Sequence, residues 1–262
     1  MNKKISLFLV DIDGVIVRGK APIIGSSEAI KELRMKGAKI IFVTNNSTRS
    51  RIEHAENLSN QGISVKVDDI ISTSYCAAKY AEENDFNTAY IVGEEGLKDE
   101  LERANIHVLG ENAEKVDAVI VGMDRTLTYA KLATAHRLIT GGAKFIATNT
   151  DATYPIENGE APGAGAMVAA IQITVGKPPV ILGKPNPFIL NLALKETHIQ
   201  LDYCAVVGDR PETDIAVANN GGCVGVLVLT GVSTSSNPLD YSKDNRPTLI
   251  FESLADMSRR YD

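Results

Sequence analysis

The chain has 262 residues, and 27 Lys and Arg against 33 Asp and Glu give a net charge of 27 − 33 = −6. This acidic balance argues against nucleic acid or an acidic membrane as the main partner. Hydrophobic residues make up 44% and charged residues 23%, as in an ordinary globular chain with enough apolar material for a core. No apolar stretch approaches membrane-spanning length, so we expect a cytoplasmic protein with no membrane partner.

The cysteines and histidines predict no structural metal site. Cys76, Cys204 and Cys223 are far apart and lie among apolar or small residues, which favours free thiols in a reducing compartment. There is no Cys-x-x-Cys, and the four histidines never fall at metal-ligand spacing.

Short apolar runs alternate with amphipathic segments, a pattern typical of parallel strands covered by helices. The first run, Ile5 to Val10, reads as a strand buried on both faces. Ser50 and Glu53 have capping-box spacing and start a helix just after Thr44 to Asn46. The predicted elements up to there are strand 5–10, helix 27–36, strand 39–43 and this helix.

The pattern then restarts in a stretch that we interpret as an inserted unit, residues 83–178. It separates two parts of a core, residues 1–82 and 179–262, so the predicted fold class is α/β with a mostly parallel sheet and a smaller α/β insertion. Predicted in the insertion are strands 88–92, 117–121 and 144–147 and helices 96–104 and 128–139. Predicted after it are strand 180–182, a helix opening at Asn186-Pro187, strand 204–207, a helix ending at Gly221-Gly222 and strand 224–229.

An acidic pair, Asp11 and Asp13, follows the first predicted strand. Residues two apart at a strand end point to the same side, so both carboxylates can face one crevice. Carboxylates that close repel unless one keeps its proton or a cation neutralises them, and Mg²⁺ would satisfy the pair. The alternative is an ordinary acidic turn after a strand.

A second acidic pair, Asp209 and Asp214, follows another buried strand. In open α/β sheets ligands bind beyond the carboxyl ends of the strands, so the two acidic strand ends could converge there. For Asp214 a first-turn acid that stabilises a helix N-terminus is an equal alternative to a metal role.

Thr44 and Asn45 end the second strand ahead of a helix, where hydroxyl and backbone N–H groups can bind an anion. A plain N-cap loop is the alternative. Lys184, in Gly183-Lys184-Pro185, precedes another helix and could neutralise an oxyanion. The same tripeptide recurs around Lys177, but it follows a helix, so Lys177 is interpreted as a solvated linker charge. Together the acidic pairs, the Thr/Asn loop and Lys184 indicate phosphoryl transfer.

In these motifs the sequence resembles the haloacid dehalogenase superfamily, in its NagD-like branch with 4-nitrophenylphosphatases, phosphoglycolate phosphatases and pyridoxal phosphatases. The resemblance spans the whole chain. It rests on four motifs in order and on two further stretches: Asp11-Ile12-Asp13-Gly14-Val15, Val43-Thr44-Asn45-Asn46, Gly183-Lys184-Pro185, Gly208 to Asp214, Phe145 to Asp151 and Leu229 to Ser233.

The resemblance implies a Rossmann-like core with an α/β cap of the C2 type. It implies that Asp11 attacks phosphorus to give an aspartyl phosphate and that Asp13 is the general acid and base. It also implies that Thr44, Asn45 and Lys184 bind the phosphate and that Mg²⁺ binds Asp11, the Asp13 carbonyl and Asp209. Asp214 would act at one remove, through a metal-bound water or by orienting Lys184.

Two other activities of the superfamily are disfavoured. A dehalogenase releases halide and needs no general acid, which the presence of Asp13 argues against. A phosphomutase would carry a helical cap between the first two motifs, and the segment Ile16 to Ile41 leaves no room for one.

Substrate choice is expected to involve the cap loop Thr148 to Pro155. Its candidates are Asn149, Asp151 and Tyr154, with Arg125 a weaker one, and a polar turn is the alternative for each. The sequence has no cluster of arginines of the kind that would bind a multiply phosphorylated substrate, so a small phosphorylated metabolite is expected. Relatives often pair through the cap, so a homodimer is possible. The competing hypothesis is a catalytically silent metabolite-binding protein that keeps the fold.

Overall fold

The computed structural model describes residues 4–19, 21–156 and 159–261. The chain divides into two compact units. Of the described residues, the first unit comprises those within 1–44, 55–71 and 184–262, and the second comprises those within 45–54 and 72–183.

This division differs from the predicted boundaries at residues 83 and 178. The helix Thr73–Glu83, which was not predicted, lies in the second unit together with residues 45–54. Hydrogen bonds explain this grouping, because the Thr73 hydroxyl donates to the carbonyl oxygen of Asn45 at 2.9 Å and the Gly96 N–H donates to that of Thr48 at 3.3 Å.

The first unit contains a six-stranded sheet with Leu7–Asp11 near its centre, parallel to both neighbours, Lys39–Thr44 and Cys204–Gly208. All five residues of the central strand are buried, as expected for a sheet covered on both faces. Across the sheet the strands are Leu249–Phe251, Val224–Val228, Cys204–Gly208, Leu7–Asp11, Lys39–Thr44 and Ile70–Ser72. A small ribbon pairs Val17–Arg18 with Ala21–Pro22.

The helices around this sheet carry the apolar faces that complete its core, in which Phe8, Val10, Leu33, Phe42 and Leu58 are buried together. Burial of such side chains is the main source of stability of this unit. The helices are Ser26–Met35, Phe188–Thr197, Ala216–Gly221, Leu254–Arg260 and the part of Arg51–Asn60 that follows residue 54, with a π-helical turn at Pro211–Ile215 and 3₁₀ turns at Val67–Asp69, Leu201–Tyr203, Pro238–Asp240 and Lys243–Asn245.

The second unit is built on a separate parallel sheet, around which Val92, Val121, Leu138, Phe145 and Ile171 form a core. Its strand order is Val180–Ile181, Lys144–Ala147, Ala118–Val121, Thr88–Val92 and His107–Val108. Its helices are Thr73–Glu83, Glu95–Arg103, Tyr129–Thr140 and Ala164–Val175, and Thr153–Ile156 pairs antiparallel with Gly159–Pro162.

The predicted α/β class with parallel sheets is confirmed, and strands 88–92 and 144–147 have their predicted bounds. The capping box is present, since the Ser50 N–H donates to the Glu53 carboxylate at 2.8 Å and the Glu53 N–H donates to the Ser50 hydroxyl at 3.4 Å. The predicted helix start at Asn186-Pro187 is wrong by one residue: Pro187 is the N-cap, and Asn186 accepts from the Phe188 N–H at 2.9 Å.

All three cysteines are free thiols, as expected, and Cys223 is only half-buried. Among the described residues, no helix combines the length and the apolar character that crossing a membrane requires.

Candidate active site

Three polar side chains lie at the same edge of the first sheet. Asp11 and Thr44 are the last residues of their strands, and Asp209 follows the strand Cys204–Gly208 directly. Val10 pairs with Val207 in the register. Because these strands run parallel with little stagger, their carboxyl ends meet where open α/β sheets bind ligands. The predicted placement of all three residues at strand ends is confirmed.

Lys184 bridges two carboxylates inside this cluster. Its Nζ donates to Oδ1 of Asp11 at 2.6 Å and to Oδ1 of Asp214 at 2.5 Å. Lys184 is 3% exposed, Asp11 7% and Asp214 0%, so water screens these ion pairs little. Burial lowers the pKa of Lys184, but Asp11 and Asp214 outweigh it, so the pKa lies above its ordinary value and the ammonium stays charged.

At Asp11 the effects that disfavour the charged form outweigh the attraction to Lys184. Burial raises the pKa of its carboxyl well above the ordinary value; Lys184 opposes this rise, while Asp214, Asp209 and Asp13 add to it. One lysine therefore does not compensate the carboxylates gathered at this edge. A bound cation would offset the remaining repulsion.

The Asp209 carboxylate is held on one side by a backbone N–H group. Its Oδ2 accepts from the Val232 N–H at 2.7 Å, and its Oδ1 is buried with no hydrogen-bond partner among the described residues. Burial, followed by the charge of Asp214, raises the pKa of Asp209 to about 6. An unsatisfied buried carboxylate oxygen is costly unless something positive faces it.

Glycines allow this packing. A Cβ on Gly14 would lie 2.4 Å from Cγ of Asp209, and one on Gly231 would lie 1.9 Å from Oδ2 of the same residue. The Thr230 hydroxyl also donates to the Gly14 carbonyl oxygen at 2.7 Å. The quoted motifs contain Gly14, Gly231 and Val232, but the sequence predicted no contact with Asp209 for any of them. The sequence did carry a signal for this packing, because Gly14 and Gly231 each come shortly after a strand of the same sheet.

The residues present fit a divalent cation. One carboxylate oxygen from each of Asp11, Asp209 and Asp214 lies within 4.8 Å of the other two. Hard oxygen ligands in this number suit Mg²⁺. Both oxygens of Asp214 already accept hydrogen bonds, from Lys184 and from the Arg210 N–H at 3.0 Å. Among the described residues, Asp209 Oδ1 therefore has acceptor capacity left for a cation, whereas Asp214 uses both of its oxygens within the protein.

The remaining predicted residues are distributed between this cluster and a second one. Asp13 is exposed, and Thr44 is buried at its strand end. Asn45, Asn149 and Asp151 come together in the second unit, where both asparagine amides donate to the Asp151 carboxylate. The segment Thr148 to Pro155 is not all loop, because its last three residues belong to the strand Thr153–Ile156.

The other cap candidates lie outside that hydrogen-bond cluster. Tyr154 is half-buried opposite Ala161 in the hairpin. The Arg125 guanidinium binds the two Glu94 carboxylate oxygens at 2.7 and 2.5 Å. Lys177 is exposed, as expected for a linker charge.

Comparison with known proteins gives consistent matches. The profile of the haloacid dehalogenase-like hydrolases matches residues 8–107, and an HAD-hydrolase-like profile matches residues 181–257. The chain is 36% identical to phosphoglycolate phosphatase 2 of Arabidopsis thaliana over 97% of this chain and 92% of that protein.

Solved structures extend the similarity to the fold. A p-nitrophenyl phosphatase from Archaeoglobus fulgidus has 36% identity and a TM-score of 0.90, with 98% of this chain and 99% of that chain covered. A glycerol phosphate phosphatase from Mycobacterium tuberculosis, in complex with magnesium, has 31% identity and a TM-score of 0.90, with 99% and 79% covered.

Proposed function

Because the chain belongs to the haloacid dehalogenase-like hydrolases, we propose that it is a Mg²⁺-dependent phosphatase that hydrolyses small phosphomonoesters through an aspartyl phosphate on Asp11. Its named relatives are phosphatases, so the chain is a phosphoric monoester hydrolase. The observation that carries the mechanism is the buried contact of Lys184 with Asp11 and Asp214 beside the unsatisfied oxygen of Asp209.

In the first step an oxygen of Asp11 bonds to phosphorus while the ester P–O bond breaks. Asp13 gives its proton to the departing alcohol oxygen, so that no alkoxide is released. Lys184 keeps its positive charge and stabilises the negative charge on the transferring oxygens, together with the Thr44 hydroxyl and the Asn45 backbone.

In the second step water attacks phosphorus and breaks the bond to Asp11. Asp13, now a carboxylate, takes the proton of that water, which returns it to its starting state as free phosphate leaves. Splitting one difficult displacement into two easier ones is the benefit of covalent catalysis. The exposure of Asp13 supports its role, because a group that trades protons with alcohol and water must reach both.

Asp11, Asp209 and the Asp13 carbonyl would hold Mg²⁺. When bound, the ion neutralises the crowded carboxylates and the phosphoryl charge. Support comes from the orphaned Asp209 Oδ1 and from the three carboxylate oxygens that lie within 4.8 Å of one another.

The substrate class is a small phosphorylated metabolite, with phosphoglycolate, sugar phosphates, nucleotides and pyridoxal phosphate as candidates. The names of the relatives, phosphoglycolate, p-nitrophenyl and glycerol phosphate phosphatase, differ in the alcohol and agree in the phosphomonoester. A screen of these esters ranked by kcat/KM identifies the preferred alcohol.

The direct test measures phosphate release from 4-nitrophenyl phosphate with Mg²⁺ and again after chelation. We expect turnover that disappears with EDTA and returns with added Mg²⁺. Binding of phosphate esters without any metal-dependent turnover would favour the silent binding protein instead.

Two matched variants test the roles of the first acidic pair. Asp11→Asn should lower turnover by at least about 10³-fold, because it removes the attacking oxygen. Asp13→Asn should retain phosphoryl transfer from 4-nitrophenyl phosphate to Asp11, because the departing 4-nitrophenolate needs no proton, and should slow the attack of water on the aspartyl phosphate. Acid quenching and mass spectrometry would then detect an aspartyl phosphate, and its absence would contradict the assignment of Asp13.

A further inference from the structure

The Asp151 carboxylate is fully engaged by side chains of its own unit. Nδ2 of Asn45 lies 3.3 Å from Oδ1 and 3.1 Å from Oδ2, and Nδ2 of Asn149 donates to Oδ2 at 2.8 Å. Hydrogen bonds to an ionised acceptor are about twice as strong as neutral ones. Both oxygens of the Asp151 carboxylate therefore accept hydrogen bonds from side chains of the protein itself.

Asn45 is fixed from two further sides. Its carbonyl oxygen accepts from the Thr73 hydroxyl at 2.9 Å. Gly183 approaches it so closely that a Cβ on Gly183 would lie 2.7 Å from Oδ1 of Asn45 and 2.6 Å from the carbonyl oxygen of Thr148. The Gly183 N–H also donates to that Thr148 oxygen at 2.7 Å.

Asn45 and Gly183 are the covalent neighbours of two residues in the proposed mechanism. Asn45 follows Thr44, and Gly183 precedes Lys184. A restraint on the Asn45 side chain limits the backbone freedom of the Thr44–Asn45 peptide, whose hydroxyl and N–H groups are proposed to bind the phosphoryl oxygens. Small displacements of such groups cost about 10²-fold in rate.

We propose that Asp151 is a positioning residue that holds Asn45, and through it the phosphate-binding Thr44–Asn45 segment, rather than a residue that contacts the alcohol of the substrate. This inference rests on the proposed phosphatase function and departs from the expectation that Asp151 selects the substrate. Asn149 completes the arrangement by orienting the Asp151 carboxylate.

The two roles differ in what they do to inorganic phosphate, which has no alcohol group. A positioning role weakens phosphate binding when Asp151 is changed, whereas an alcohol-contacting role leaves it unchanged. We would measure the inhibition constant of phosphate against 4-nitrophenyl phosphate hydrolysis with saturating Mg²⁺, and phosphate binding by calorimetry as a readout independent of turnover.

Asp151→Asn keeps the shape of the side chain but replaces one acceptor oxygen by a donor that faces an asparagine amide. We expect the phosphate inhibition constant to rise about tenfold, within the coupling range of residues that share a hydrogen bond. The kcat/KM values for 4-nitrophenyl phosphate, phosphoglycolate and glycerol phosphate should fall by one common factor. Asn45→Ala should act in the same way, and the double variant should be no worse than the poorer single one.

The matched control is Asp117→Asn. Asp117 also uses its carboxylate to accept hydrogen bonds within the second unit, from the N–H groups of Asn87 and Thr88, both at 2.9 Å. Asp117 precedes the strand Ala118–Val121, at the amino end of that strand. Asp151 comes after the parallel strand Lys144–Ala147, beyond its carboxyl end. This variant should unfold at a lower temperature and bind phosphate as the wild type does. If Asp151→Asn does not fold, Asn149→Ala, which removes only the 2.8 Å donor, should give a smaller rise in the same direction.

An unchanged phosphate constant in folded Asp151→Asn, or kcat/KM losses that differ between esters, would overturn the inference while leaving the phosphatase proposal intact. Additive losses in the double variant would overturn it as well. A wild type without metal-dependent turnover would refute the proposed function, and this inference with it.

Discussion

Gly14 and Asp209 are packed so closely that only a glycine fits: a Cβ on Gly14 would lie 2.4 Å from both Cγ and Oδ2 of Asp209. Gly14 also has φ +82°, a conformation that L side chains rarely adopt. The carboxylate that we propose as a metal ligand is therefore positioned by the turn that follows Asp13. The turn and the ligand come from sequence positions 195 residues apart, as 209 − 14 = 195.

The first prediction concerns Gly14→Ala. The added methyl group must displace the Asp209 carboxylate, and a misplaced catalytic group costs about 10²-fold in rate. We expect kcat/KM to fall by about that factor and the Mg²⁺ concentration for half-maximal activity to rise. The control is Gly19→Ala, since Gly19 has φ +63° but no atom within 4 Å of its added Cβ. Equal activity losses in the two variants would show that strain, not the Asp209 contact, is responsible.

The second prediction separates the two acids of the Asp209–Asp214 pair. Asp209→Asn should raise the half-saturating Mg²⁺ concentration by more than about 100-fold, because loss of a ligand should exceed the 10–100-fold typical of indirect partners. Asp214→Asn should raise it about tenfold at most and should act mainly on kcat, because it loosens Lys184. Mg²⁺ titrations of initial rates measure both. The reverse order of the two effects would assign the metal to Asp214.

The third prediction compares the two Gly-Lys-Pro tripeptides. Lys184→Met leaves Asp11 and Asp214 buried without their cation, which should cost about 3–5 kcal/mol of the free energy of unfolding. It should also lower kcat by about 10²–10³-fold, since a preorganised donor to the phosphoryl group is lost. Urea unfolding and initial rates are the measurements.

The control, Lys177→Met, changes an exposed lysine in the same local sequence. It should shift the free energy of unfolding by less than about 0.5 kcal/mol and leave kcat unchanged. A similar loss in both variants would contradict the special role of the Lys184 contacts.

The sequence predicted the fold class and most of the strands because these signals are local. Buried parallel strands are short apolar runs, and the polar residues that end them stand out at once. The helix Thr73–Glu83 was missed although Ser72 caps it, accepting from the Tyr75 N–H at 3.3 Å. Its buried small residues, Ala77, Ala78 and Ala81, give a weaker apolar pattern than leucines would.

The rest of the site depends on contacts that no local pattern encodes. The strand Thr153–Ile156 contains a proline, which disfavours a strand prediction, and it is stabilised by its antiparallel partner. Asp151 is a candidate for substrate choice because it lies in the cap loop that the resemblance indicates, and no local pattern shows its hydrogen bond with Asn45, which lies 151 − 45 = 106 residues away in sequence. That both oxygens of this carboxylate already accept hydrogen bonds can be recognised only from the folded structure.

The last prediction concerns pH and His54, which lies on the helix that follows the Thr44–Asn45 segment. His54 is 4% exposed, and its Nε2 lies 3.3 Å from the Asn46 carbonyl oxygen. Burial, only partly opposed by this hydrogen bond, lowers the pKa of His54 from 6.5 to about 4.

Between pH 6.5 and 4 the unfolded chain therefore binds a proton at His54 that the folded chain does not. The free energy of unfolding must fall as the pH falls through this range, by about 3 kcal/mol from His54 alone. His54→Gln should flatten that part of the profile, measured by urea unfolding at a series of pH values, even if it is less stable than the wild type at pH 7.5. His107→Gln, which changes an exposed histidine, should keep the wild-type slope. Parallel profiles for the wild type and His54→Gln would mean that His54 becomes protonated in the folded protein at its ordinary pKa.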